Sequence, residues 1–200
     1  MNEETREGKM HPHLKSARAR LLELVREKAY VGGLRITLSS GKTSDYYVDG
    51  KKITLDPEGL HLFAKLLLAE LESYPEVTAV GGMSIGADPI AAAVCALSHE
   101  GPRPIRAFLV RKEPKGHGTG SLVEGELEPG DKVAVVEDTI TTGGSSEKVC
   151  RILEDMGVEI AVVLALVDRE DPDGDSFRRR RNVVPIFRIS EIRDRKGTED

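Results

Sequence analysis

Lys132-Val-Ala-Val-Val-Glu-Asp-Thr-Ile-Thr-Thr-Gly-Gly-Ser145 is the stretch on which the rest of the chain turns. Its apolar, β-branched opening predicts a buried strand over Lys132–Val136. Two carboxylates, Glu137 and Asp138, stand where that strand is expected to end, and Thr139, Ile140, Thr141, Thr142, Gly143 and Gly144 follow. From Ser145 the pattern becomes helical, with Val149, Ile152, Leu153 and Met156 on one face. In such a layout the N–H groups of the turn and the positive end of the helix dipole face an anion, so the turn reads as a phosphate cradle. The carboxylates cannot bind that phosphate; sugar hydroxyls, which donate hydrogen bonds, suit them. A Walker loop is excluded because Ser145 stands where it needs Lys. A dinucleotide fingerprint is excluded because its acid lies far downstream of the glycines.

Outward from this stretch, strands and helices alternate. Val77–Val80 is predicted as a strand, then the glycine-bearing turn Gly81–Gly86, then a helix from Asp88-Pro89 to about Ser98. Ile105–Val110 is another strand, and Glu159–Val167 a third, after a helix ending at Gly157. The alternation predicts an α/β fold, a mostly parallel sheet with helices on both faces. Ligands in that architecture bind beyond the carboxyl ends of the strands. Gly81–Gly86, Arg111, the acidic pair and Asp168-Arg169 all fall at such ends.

Upstream, residues 1–10 read as a flexible polar tail. His13–Ala29 is helical in pattern, and Gly32-Gly33 is expected to end it. Leu34–Leu38 and Tyr46–Asp49 read as two strands of a hairpin, a small N-terminal hood. Asp56-Pro57 is a helix start, with Asp as N-cap and Pro at the first helical position.

With 200 residues, a single domain over 1–200 is expected. A net charge of −5 and the lack of long basic tracts argue against a nucleic-acid binder. No apolar run is long enough to span a bilayer and the N-terminus is not a signal peptide, so no membrane association and a cytoplasmic location are expected. Cys95 and Cys150 lie in helical patterns and suggest no disulfide framework. Arg178–Arg181 is read as a solvated helix face.

Residues 112–125 form a long polar stretch without periodicity, expected to be a mobile catalytic loop. Arg111, Lys112, Lys115 and His117 concentrate positive charge there among glycines, which suits a lid over an anionic leaving group.

Taken together, Leu38-Ser-Ser-Gly41, Tyr46-Tyr47, Gly86-Ala-Asp-Pro-Ile90, Arg111-Lys-x-x-Lys-x-His-Gly118, Glu137–Ser145 and Val167-Asp-Arg169 resemble the orotate phosphoribosyltransferases, within the type I phosphoribosyltransferase fold. The Glu137–Ser145 signature matches the wider superfamily; the Arg-Lys-x-x-Lys-x-His-Gly loop selects the orotate branch. The resemblance implies transfer of ribose 5-phosphate from 5-phosphoribosyl-1-pyrophosphate to orotate, with Mg²⁺, in pyrimidine (UMP) biosynthesis. It implies that Glu137 and Asp138 hold the ribose hydroxyls and that Thr139–Ser145 cradle the 5′-phosphate. Arg111, Lys112, Lys115 and His117 are implied to stabilise pyrophosphate, across a homodimer with shared active sites. Thr141 and Arg169 are implied to contact orotate, and guanidinium suits orotate's carboxylate. No direct protein ligand for the metal is named.

The chain departs from the family at two places. Some members carry Lys where this chain has Ser39, and some carry Lys in the turn that here reads Ser84-Ile-Gly86. Lys51 or Lys52 is a candidate stand-in. Two rival readings are a purine or uracil phosphoribosyltransferase, which should lack both the cationic lid and the carboxylate-binding arginine, and a non-catalytic regulator, which should show a damaged lid or acidic pair. This sequence keeps all of these features.

Overall fold

A computed structural model describes residues 11–37, 43–113 and 121–194. Helix α1, Pro12–Leu24, continues through one π-helical turn, Val25–Ala29, into strand β1, Tyr30–Thr37, which pairs antiparallel with β2, Thr43–Val48. Gly32-Gly33 therefore does not end the helix. It lies inside β1, where the register shifts between Gly32 and Ile36 and Gly33 takes φ 74°. The glycines mark a strand irregularity, which a left-handed residue relieves. A one-turn helix α2, Lys51–Thr54, precedes α3, Pro57–Leu71. Asp56 caps α3 as expected: its Oδ1 accepts the Gly59 N–H at 2.8 Å.

The central sheet contains β3 (Ala79–Met83), β4 (Arg106–Val110), β5 (Val123–Glu124), β6 (Lys132–Ile140), β7 (Glu159–Asp168) and β8 (Val183–Arg188), in the order β5-β4-β3-β6-β7-β8. All neighbours are parallel except β4 and β5. The connecting helices are α4 (Asp88–Ser98) and α5 (Gly144–Asp155). A 3-10 turn, Pro172–Gly174, leads to α6 (Asp175–Arg180), and α7 (Ile189–Arg193) follows β8.

Alternation along β6 shows how the layers close. Ala134 and Val136 pack with Leu21, Leu24, Phe63, Leu67, Ile90 and Val94 of α1, α3 and α4. Val133 and Val135 pack on the other face with Val149, Cys150 and Leu153 of α5. Burying both faces is what makes the parallel strands near-continuous apolar runs. Cys95 and Cys150 are free thiols on separate helices.

Two strands escaped the sequence reading. β8 contains Pro185, which argues against a central strand, and it sits at the sheet edge, where the missing N–H costs no ladder bond. β5 is only two residues long, and it makes Val123–Glu124 part of the sheet rather than of a loop running over 112–125. β6 also outruns its predicted end at Val136. It pairs with β7 as far as Ile140↔Asp168, whereas β3 follows β6 only to Gly81↔Val135. Past that point β6 has a strand neighbour on its β7 side alone, and the end of β3 and the turn after it pack against its other side.

Candidate active site

Glu137 and Asp138 lie in the last part of β6, beyond its pairing with β3, and each is only 8% exposed. The Gly86 turn closes over them: a Cβ placed on Gly86 would stand 3.0 Å from Glu137 Oε1 and 3.4 Å from Asp138 Oδ1. A side chain at Gly86 would crowd the carboxylates, so bare backbone is what lets the two motifs meet. Gly81 and Gly82 belong to β3 rather than to the turn, which is carried by Ser84–Ala87. Within it, Ser84 Oγ lies 2.9 Å from Asp88 Oδ1 and donates to it.

Glu137 has a partner that the sequence reading missed. Ser146 Oγ donates to Glu137 Oε2 at 3.3 Å, and Ser146 is buried whereas Ser145 is exposed. Ser146 shares the inward face of α5 with Val149, Cys150 and Leu153, a spacing that was available in the sequence. Burial, and then the neighbouring Asp138 charge, push the Glu137 carboxyl up to about 8.

After Ile140 the chain turns through Thr141, Thr142 and Gly143. Gly143 heads α5 with φ 79°, a left-handed conformation natural to glycine. The first helical bond runs from Glu147 N–H to Gly143 C=O at 2.8 Å, so the N–H groups of residues 144–146 precede it and have no i−4 partner. Such a set is an anion site on the dipole's positive end. The members of 139–145 contribute differently. The Ile140 side chain is 1% exposed and belongs to the core, leaving it only backbone for a ligand. Thr139 Oγ1 is buried without a hydrogen-bond partner, and a Cβ on Gly50 would stand 2.8 Å from it, so this hydroxyl faces α2. Thr142, Gly144 and Ser145 are exposed, and Thr141 half-buried.

Of the two candidate stand-in lysines, Lys51 reaches the acidic pair. Its Nζ lies 3.7 Å from Asp138 Oδ2 and 3.3 Å from Asp49 Oδ1. Burial acts to lower its pKa, but the Asp138 and Asp49 charges outweigh that and hold it above its ordinary value. Lys51 and Lys52 both line a surface cavity, with Lys28, Leu55 and Pro57.

The cationic stretch leaves the sheet as a hairpin stem. β4 and β5 pair Leu109↔Glu124 and Val110↔Val123, and the Arg111 N–H donates to the Leu122 carbonyl at 2.8 Å. Arg111 Nη1 lies 3.4 Å from Glu124 Oε1. Lys112 is exposed, and its carbonyl accepts from Lys148 Nζ at 3.1 Å. Lys115 and His117 lie outside the described residues.

Arg169, at the end of β7, is only 7% exposed. Its Nη2 donates to Ser44 Oγ at 3.3 Å and its Nε to Tyr46 Oη at 3.4 Å, under the hood hairpin. The sequence reading assigned neither Ser44 nor Tyr46 a contact. Nothing in a short hairpin motif tells which strand end it will cover.

The reading of Arg178–Arg181 as a solvated face is corrected. Arg179 and Arg180 are exposed, but Arg178 and Arg181 point inward, their side chains 17% and 16% exposed and paired with acids. Spacing of three residues puts these two on one side of the segment.

No protein-family model matches the chain. It is 44% identical to the orotate phosphoribosyltransferase of Aquifex aeolicus over 78% of this chain and 85% of the relative. With the orotate phosphoribosyltransferase of Rhodopirellula baltica it shares 41% identity over 88% of this chain and 92% of that protein. The chain belongs to the orotate phosphoribosyltransferase family. Among solved structures, the Mycobacterium tuberculosis orotate phosphoribosyltransferase in complex with 5-phospho-α-D-ribosyl 1-diphosphate superposes with a TM-score of 0.69. That match has 35% identity and covers 88% of this chain and 98% of the other. Membership of the orotate phosphoribosyltransferase family agrees with the type I fold, a mostly parallel sheet flanked by helices with a small antiparallel hairpin. No helix among the described residues is long and apolar enough to cross a membrane.

Proposed function

We propose that this protein is an orotate phosphoribosyltransferase, which transfers ribose 5-phosphate from 5-phosphoribosyl-1-pyrophosphate to orotate and releases orotidine 5′-monophosphate and pyrophosphate. The observation that carries the proposal is the convergence of the acidic pair, the Gly86 turn, the helix-heading Gly143 turn, the Arg111 stem and Arg169 at the carboxyl ends of β3, β4, β6 and β7. Family membership supplies the substrate class.

In this reading residues 139–145 receive the 5′-phosphate, Ile140 through its backbone alone. Glu137 and Asp138 accept hydrogen bonds from the ribose hydroxyls. Asp138 supplies the negative charge that faces the sugar while positive charge develops at its anomeric carbon; Glu137, held protonated by burial, contributes hydrogen bonds rather than charge. The orotate ring nitrogen, having lost its proton to solvent, forms the new bond to that carbon as the bond to the pyrophosphate oxygen breaks, with inversion. Arg111, Lys112, Lys115 and His117 meet the negative charge that grows on the leaving group. Thr141 and Arg169 hold orotate; the long hydrogen bonds from Arg169 to Ser44 and Tyr46 are weak ones that a carboxylate can replace.

In this reading Mg²⁺ would be carried chiefly by substrate oxygens and water, as an ion that keeps its waters and leans on phosphates needs few protein ligands. Asp138, beside the Gly86 turn, is the side chain that would suit its hydration shell. When bound, the ion supplies neutralisation of the pyrophosphate charge. A homodimer in which the lid of one subunit serves its partner, in the cytoplasm, completes the proposal.

The test is spectroscopic. Purified protein should deplete orotate's ultraviolet absorbance only when 5-phosphoribosyl-1-pyrophosphate and Mg²⁺ are both present. Depletion without the ribosyl donor, or none with both, contradicts the proposal.

A further inference from the structure

Three contacts bind residues 172–180 to the turn between β6 and α5. A Cβ placed on Gly174 would stand 2.7 Å from the Thr141 carbonyl oxygen, so the two backbones touch. A Cβ on Gly143 would stand 2.2 Å from a ring carbon of Phe177, so the ring lies directly on the glycine that heads α5. Phe177 is itself 2% exposed. Arg178 then joins the two strand ends. Its Nε and Nη2 donate to both oxygens of Asp168 at 2.7 and 2.5 Å, its Nη1 to the Asp171 carbonyl at 2.8 Å, and its Nη2 reaches the Thr141 carbonyl at 3.4 Å.

Asp168 is 1% exposed, ends β7, and sits in register with Ile140 at the end of β6. One residue pair thus fixes both strands at the point where the turn begins. Arg181 adds a clamp further along, donating to Glu147 in the first turn of α5 and to Glu154 near its end. The Arg178 fork is spent on protein acceptors, which favours a positioning role over a contact with phosphate or RNA. A turn rich in Thr and Gly has many conformations open to it, and an anion site needs its N–H groups fixed before the ligand arrives.

We propose that Phe177 and Arg178 are positioning residues that hold the turn 139–145 in its phosphate-binding form: Phe177 by covering Gly143, Arg178 by tying Thr141 to Asp168. The inference rests on the proposed function, since it takes that turn as the 5′-phosphate site. It adds that a segment outside the recognised motifs sets the affinity of that site.

Removing Arg178 alone leaves the buried Asp168 charge uncompensated and is expected to endanger folding. Two other variants avoid this: the double exchange Asp168→Asn with Arg178→Gln, which replaces the ion pair by two amides, and Phe177→Leu, which leaves the pair intact. Binding of ribose 5-phosphate and, separately, of pyrophosphate is followed by ³¹P NMR titration on folded protein. Each variant should weaken ribose 5-phosphate about ten-fold or more and leave pyrophosphate within about two-fold, because a misplaced turn costs only the group it holds. Wild-type affinity for ribose 5-phosphate in both folded variants overturns the inference, as does an equal loss for both ligands. Failure of the unmutated protein to bind ribose 5-phosphate overturns the functional reading beneath it, and is seen before any variant is made.

Discussion

The guanidinium of Arg169 lies over the ring of Tyr46, its central carbon 4.8 Å from the ring centroid, and the same ring takes Arg193 at 5.2 Å. Tyr46 belongs to the hood hairpin and Arg169 to the end of β7, so this contact is where the hood meets the sheet. It holds a buried cation at the place where the proposed function needs one for orotate's carboxylate.

Arg169→Ala should therefore raise KM for orotate far more than KM for 5-phosphoribosyl-1-pyrophosphate. Loss of the cation facing a bound carboxylate costs about 2–4 kcal/mol. Steady-state kinetics with each substrate varied in turn checks this, and equal losses for both would remove Arg169 from the orotate site.

Asp138→Asn should lower kcat by about 10²-fold or more, the scale of losing one charge aimed at a transition state. Folding should survive, because Asp138 supplies no core packing; the apolar contacts of β6 are made by Val133–Val136 and Ile140. Near-wild-type turnover with an unchanged Tm would contradict the role.

Glu137 gives a pH dependence with a definite sign. Its folded pKa of about 8 stands above the ordinary 4.5, so between those values the folded state binds more protons than the unfolded one. Its contribution is fully present below about pH 4.5 and is lost as pH rises towards 8. Denaturant unfolding of wild type and Glu137→Gln across that range should show the difference between them shifting in favour of the variant as pH rises. A difference that does not change with pH would mean that Glu137 is not held protonated.

Lys51→Met should raise KM for 5-phosphoribosyl-1-pyrophosphate about ten-fold, equivalent to about 1.4 kcal/mol, with little change for orotate. The cation sits beside Asp138, which the proposed function sets against the ribosyl donor. An unchanged KM would leave the lost lysines at Ser39 and in the Ser84–Gly86 turn without a replacement at this position.

The lid is tested by mixing two inactive variants, Lys115→Ala and Asp138→Asn. If each lid serves the partner's cradle, a mixed dimer carries both lesions in one site and none in the other. Statistical exchange should then restore about a quarter of wild-type activity. No recovery despite proven subunit exchange would assign each lid to its own subunit.

Much of this site was legible because its chemistry is local. Acids followed at once by Thr and Gly, and then by a helical period, can be read from one short stretch, as can the Asp56 cap. What escaped depends on distance along the chain. Arg178 looked like part of a charge run because its partner Asp168 is ten residues away, on a different element. Pro185 hid β8 because a strand's position at the sheet edge is a property of the sheet. Gly32-Gly33 suggested a helix stop, since the same residue type serves a helix end and a strand irregularity. Ser146 alone had a readable signal, its place on the apolar face of α5.

The central claim is tested most directly by product analysis. The protein is incubated with 5-phosphoribosyl-1-pyrophosphate, Mg²⁺ and, in separate reactions, orotate, uracil, adenine or hypoxanthine, and the nucleotides are identified by mass spectrometry. Orotidine 5′-monophosphate should form in the orotate reaction alone, with one pyrophosphate released for each molecule made. A nucleotide from another base, or none from orotate, would contradict the account.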